Sequence, residues 1–140
     1  MFDRILVCAD RSECSLKAAR VALDIAEKYG SRVTVVNVFR QPVMVEPTQM
    51  AVDVLESAAA EAHERVRKQI AGIVEQARNR VEFRGEEGRP VETILQVADQ
   101  VRADLIVMGS RGHGEIRLRL LGSTTDGVAH HAHCPVLIVR

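Results

Sequence analysis

The sequence predicts an α/β fold, an open parallel five-stranded sheet with helices on both faces. Short apolar runs alternate along the chain with segments whose apolar residues recur every three or four positions, in the order βαβαβαβαβ. Strands that alternate with helices pair in parallel through right-handed crossovers, which puts helices on both sides of the sheet. The composition agrees. Apolar residues make up 46% of the chain but aromatics only 3%, so the core is built from Val, Ile, Leu and Ala, as strands buried on both faces require. At 140 residues the chain fits one domain, 1–140, able to bury about two-thirds of its unfolded surface without disulfide or metal staples.

The elements follow in order. Ile5 to Ala9 is an apolar run that stops at Asp10, a buried first strand. Ser12 precedes a helix marked by Ala18, Ala19, Ala22, Leu23, Ile25 and Ala26, and Gly30 closes it as a C-cap. Arg32 to Phe39 carries Val33, Val35, Val36 and Val38, a β-branched second strand. A loop with Pro42 and Pro47 leads to a long amphipathic helix from Ala51 to about Arg78, with apolar positions Val54, Ala58, Ala62, Val66, Ile70 and Ile73 or Val74. Val81 to Gly85 alternates and reads as a third strand with one wetter side. Pro90 suits the first turn of a third helix, whose apolar side is Val91, Ile94, Leu95, Val97, Ala98 and Val101. Asp104 to Met108 is a fourth strand ending at Gly109, a last helix opens at Ser123, and Pro135 to Val139 makes the fifth strand.

Several function classes drop out. Lys plus Arg equals Asp plus Glu at 19 each, so no global basic field exists to hold nucleic acid or an anionic membrane. Cys8, Cys14 and Cys134 show no metal-ligand spacing and read as reduced thiols, with Cys8 and Cys134 in inert apolar settings. No apolar run approaches the roughly 20 residues needed to span a bilayer, and the N-terminus has no secretory pattern. A cytoplasmic protein is expected.

In open α/β sheets, ligands bind beyond the carboxyl ends of the strands where strand order reverses, which directs attention to Asp10, Val38 and Gly109. The segment after the fourth strand runs from Gly109 through Gly112 to Gly122-Ser123. Glycine there admits positive φ and lets backbone approach a ligand, and the helix start at Gly122-Ser123 offers N–H groups and a dipole that favour an anion. Ser123 with Asp126 reads as a capping box. Arg111, His113, Arg117 and Arg119 make the loop locally basic in a neutral protein. The parts describe a polyphosphate cradle, although glycines serving only as turns at a strand–helix junction would look the same. A P-loop is excluded because Glu115 stands where it needs Lys, and a dinucleotide fingerprint lacks its third glycine.

Gly109-x2-Gly112-x9-Gly122-Ser123 matches the motif of the ATP-binding branch of the universal stress protein family. The resemblance spans the whole chain. Asp10-x-Ser12-x-x-Ser15, Gly88-Arg89-Pro90 with Asp104 to Ser110, and Cys134-Pro135 with the closing strand are similar to that family's other signatures, in the same order. The resemblance implies a strand order of 3-2-1-4-5, an adenine nucleotide alpha hydrolase-like sheet. ATP, or AMP or ADP, would lie across the carboxyl ends of strands one and four. Asp10 would face the ribose or adenine, and the backbone of Val38 the adenine. Gly109, Gly112, Gly122 and Ser123 would hold ribose and phosphates, with Arg111 and Thr124 beside them and Mg²⁺ carried mainly by the nucleotide and water. It also implies a homodimer through Val136–Val139, an apolar edge strand that needs a partner. Arg11 departs from the pattern, where a small residue is usual, and Glu115 could oppose a phosphate.

Other assignments have blander accounts. Ser12 and Ser15 read as cap and first-turn residues. Adjacent His130 and His131 point apart on a helix, so they and His133 suit a helix C-terminus better than a metal. No nucleophile–base set is evident, and the resemblance implies a regulatory or stress-protective nucleotide binder with little or slow hydrolysis. The alternative is a nucleotide-free dimerisation or partner-binding module of the same fold. A phospho-acceptor receiver lacks its late-strand Lys, and an ATP-using transferase lacks its histidine pair.

Overall fold

The computed structural model describes residues 1–75, 80–111 and 121–140. Nine elements follow in the predicted order: β1 (Arg4–Cys8), α1 (Glu13–Tyr29), β2 (Arg32–Phe39), α2 (Gln49–Val74), β3 (Val81–Glu87), α3 (Pro90–Val101), β4 (Leu105–Gly109), α4 (Ser123–His131) and β5 (Val136–Val139). All strand pairs are parallel and the sheet order is β3-β2-β1-β4-β5.

Strand alternation splits the core in two. Ile5, Val7, Val33, Val35, Leu105 and Val107 face α1 and α2. Leu6, Val36, Ile106 and Met108 face α3 and α4. Both clusters are aliphatic, which is why the small residues Ala18, Ala19, Ala22 and Ala26 can seat α1 close to the sheet with almost no exposure.

Several local signals act as read. The Ser12 hydroxyl caps α1 by accepting from the Ser15 amide, and Gly30 ends it in the left-handed conformation at φ 70°. Pro90 occupies the first turn of α3. Other boundaries differ. Helix α2 begins at Gln49, two residues ahead of the expected start, and Thr48 caps it. Val54 is 62% exposed and Ala59, not Ala58, is buried. The far end expected for this helix falls within 76–79, outside the described residues. β3 continues to Glu87 because its backbone stays paired with β2 as far as Phe39. Arg102 closes α3 in the left-handed region at φ 52°, a position usually left to glycine.

Candidate functional site at the strand ends

β1 lies between β2 and β4, so strand order reverses beside it. At the carboxyl ends of these strands is a cavity of about 160 Å³. Its floor is aliphatic: Val36, Val38, Ile94 and Met108, with Cys8 beside them. The opposite wall is polar, made of Asp10, Ser15, Arg111, Gly122, Thr124 and Thr125. Burial pushes the Cys8 thiol up to about 12, with the Asp10 carboxylate adding to it, so Cys8 contributes a neutral, small hydrophobe. Burial also raises the Cys134 thiol.

The β1–α1 turn fixes Asp10. Its Oδ1 accepts from the Ser12 amide at 3.0 Å, and its own amide donates to Ser15 Oγ at 3.3 Å. Ser15 Oγ donates in turn to the Ser12 carbonyl at 3.0 Å. Arg11 sits between them at φ 72°, a conformation a non-glycine residue adopts at some cost. Arg11 is exposed, and the described cavity walls do not include it.

The strand exit and the helix entrance meet directly. The Gly122 amide donates to the Ser110 carbonyl at 2.7 Å, and the Ser110 amide donates to Val139 at 2.7 Å. Thr125 Oγ1 donates to the Gly109 carbonyl at 2.7 Å, tying the first turn of α4 to the end of β4. The first turn of α4 therefore borders the cavity through Gly122, Thr124 and Thr125, where the helix dipole favours negative charge.

Three expectations about this junction need correction. Gly122, not Ser123, is the N-cap of α4, and no side chain caps it, so the Ser123–Asp126 capping box does not form. Gly122 spends its amide on Ser110 and is extended at φ −67°. Gly109 lacks positive φ as well. Its hydrogen is required because a Cβ there would sit 2.8 Å from the Cys14 backbone carbon and 2.9 Å from the Ser15 nitrogen. The glycine admits helix α1.

Six of the expected positions line the cavity: Asp10, Val38, Gly109, Arg111, Gly122 and Thr124. Ser123 is exposed on the first turn of α4, and Thr125 takes the inward place beside Thr124. Gly112 and His113 lie outside the described residues. His130 and His131 turn their Nδ1 atoms to the carbonyls of Asp126 and Gly127, at 2.9 and 2.8 Å.

Sequence reasoning missed a buried polar relay behind the floor. Asn37 Nδ2 donates to the Ala9 carbonyl at 2.8 Å, and Asn37 Oδ1 lies 2.7 Å from His63 Nδ1. Since Asn37 Oδ1 can only accept, His63 carries a proton on Nδ1. Burial lowers the His63 pKa, against Glu87 and Glu86, which raise it. The one available signal was an Asn interrupting a β-branched run.

Known proteins fit this architecture. The model of the universal stress protein family matches residues 1–140. A universal stress protein in the QAH/OAS sulfhydrylase 3′ region of Thermus aquaticus is 38% identical over 143 residues, covering 100% of both chains. The universal stress protein UspA from Lactobacillus plantarum superposes with a TM-score of 0.86 at 28% identity, covering 99% of this chain and 97% of that one. A universal stress protein solved in complex with cAMP gives a TM-score of 0.66 at 26% identity, covering 99% and 97%. With its sheet order, its cavity at the reversal point and a family match from end to end, the chain belongs to the universal stress protein family.

Proposed function

We propose that the chain is an ATP-binding universal stress protein with a regulatory or stress-protective role, 1–140 acting as one domain. The observation that carries this reading is the two-ended cavity. An aliphatic floor at Val38, Ile94 and Met108 suits a purine, and a polar wall with Arg111 and the start of α4 suits phosphates. A structural neighbour in complex with cAMP supports an adenine nucleotide as the ligand class. ADP or AMP would occupy the same floor with fewer phosphate contacts.

In this reading Asp10 takes the ribose or adenine and the Val38 backbone the adenine. Gly109, Gly112, Gly122 and Ser123 hold the ribose and phosphates, with Thr124 beside them. Mg²⁺ travels on the phosphates, coordinated by the nucleotide and water. Hydrolysis is slow in this reading, which rests on a sequence that offers no evident nucleophile–base set. The location in this reading is the cytoplasm. Among the described residues no helix is long and apolar enough to cross a membrane.

Arg111→Ala tests the assignment. Calorimetric titration with ATP and Mg²⁺ is expected to show affinity reduced by about tenfold, while AMP changes little, because a charge-assisted contact to the outer phosphates is lost. Absence of ATP binding to the unsubstituted protein, with no thermal stabilisation by ATP and Mg²⁺, overturns the reading.

A further inference from the structure

The opposite end of the sheet carries a second concave site. Arg4 and Arg32 are direct partners in the β1–β2 register. Arg80 precedes Val81, the partner of Val33, and its carbonyl accepts from the Val33 amide at 3.0 Å. Three arginines therefore stand in one row across three adjacent strands. All three line one cavity of about 330 Å³, together with Val33, Thr34, Val81, Glu82 and Val101.

Like charges placed directly across neighbouring strands repel. Helix α1 handles its charges with i,i+4 pairs such as Lys17–Glu13 and Lys28–Asp24. Nothing comparable serves this row. Among the described residues no ion pair reaches Arg4, Arg32 or Arg80. Glu82 is the one carboxylate on the cavity wall, and it forms none of those pairs. Asp104 lies near, but its two oxygens accept from the Asp3 and Arg4 amides at 2.8 and 3.1 Å. Three guanidinium groups thus face one carboxylate in a protein whose overall charge is zero.

The floor supplies an independent observation. Thr34 is only 9% exposed and lines this cavity, yet its hydroxyl has no hydrogen-bond partner among the described residues. Every buried side-chain nitrogen and oxygen among the described residues has a partner, so this hydroxyl is reachable rather than sealed and can donate to what enters the cavity.

We propose that this cavity binds a short polyphosphate chain, separately from the nucleotide site at the other end of the sheet. Guanidinium groups grip phosphate oxygens through paired N–H donors. Strand spacing sets three of them across about 10 Å, a span for consecutive phosphates more than for a single one. Thr34 donates its hydroxyl to an oxygen at the floor, and Glu82 sets a limit on affinity by repelling the chain at the wall. Inorganic polyphosphate and the phosphate tail of a nucleotide present the same chemistry.

The test is an amide NMR titration of the full chain at low ionic strength with tripolyphosphate, ATP and orthophosphate in separate arms. Tripolyphosphate is expected to shift the Thr34 and Glu82 amides saturably, and orthophosphate only weakly. An ATP arm that also saturates these amides identifies nucleotide tails as a source, and one confined to the Gly122–Thr124 amides leaves inorganic chains as the source. Arg32→Gln with Arg80→Gln is expected to weaken the tripolyphosphate response by tenfold or more while leaving the ATP shifts at Gly122–Thr124 intact. The same double variant relieves repulsion, so its urea midpoint without ligand should equal or exceed that of the parent. A parent protein with no saturable response at Thr34 and Glu82, or a response unchanged in a folded double variant, overturns the proposal. So does a double variant of lower stability, which would mean that the row is structural.

Discussion

At the scale of single residues, the two site glycines had different legibility. Gly109 was readable as a position where a side chain cannot fit, but not for the right reason. The obstruction is the first turn of α1, 2.8 Å from where its Cβ would lie, and no local pattern reveals a partner 95 residues upstream. Gly109→Ala is therefore expected to reduce stability by about 1–3 kcal/mol, the usual penalty for overpacking against rigid backbone, as read from urea unfolding. Full stability in that variant would mean that α1 can retreat. Cys8 makes a second residue-level prediction. Its folded pKa of about 12 exceeds the ordinary 9.0, so above pH 9 the unfolded chain loses a proton that the native state keeps. Stability should fall as pH rises from 9 towards 12, and urea midpoints of Cys8→Ala should show a shallower fall than those of the parent. Equal slopes would place the thiol in water.

At the scale of elements, nearly all of the order was legible, because a 3.6-residue period and a continuous apolar run are hard to confuse at these lengths. Ser12, Gly30 and Pro90 marked their helices through chemistry that acts within one turn. The misreadings share a cause: they sit where tertiary contacts outvote local preference. β3 extends through Glu86 and Glu87 because β2 offers ladder partners. Arg102 accepts a left-handed φ because the chain must turn into β4. Val54 is exposed because the first turns of α2 lie beyond what the sheet can cover. The strand β5 was read correctly as an edge, and its four residues are all half-buried. An edge of that kind invites a second copy. Ile138→Arg is expected to convert a dimer to a monomer of unchanged secondary structure, measured by light scattering after gel filtration. A dimer that survives the substitution, or a parent that is monomeric, would exclude pairing through β5.

At the scale of the whole molecule, the placement of the cavity at the strand ends followed from topology. Alternation predicted a parallel sheet, the family resemblance implied the order 3-2-1-4-5, and the reversal beside β1 leaves a crevice at the strand ends. What could not be read was the division of labour inside it. Thr125 and Asn37 hold the walls in place through bonds to the carbonyls of Gly109 and Ala9, and both look like ordinary polar interruptions in the sequence. The arginine row was equally hidden. Arg4, Arg32 and Arg80 are far apart in the chain, and only the register of three parallel strands lines them up. With an Arg111 variant altering one end and an Arg32 and Arg80 variant altering the other, the two ends of the sheet can be examined independently.

The 2.7 Å bond from the Gly122 amide to the Ser110 carbonyl has an evolutionary corollary. The chain departs from the scaffold and rejoins it at a single doorway, so the cost of bringing those ends together is met by the sheet and α4, whatever spans the gap. Because closure entropy grows only slowly with length, the intervening stretch can be lengthened, shortened or recoded as a graft. If that stretch helps choose the ligand, as the proposed function holds, its choice can be changed without renegotiating the framework.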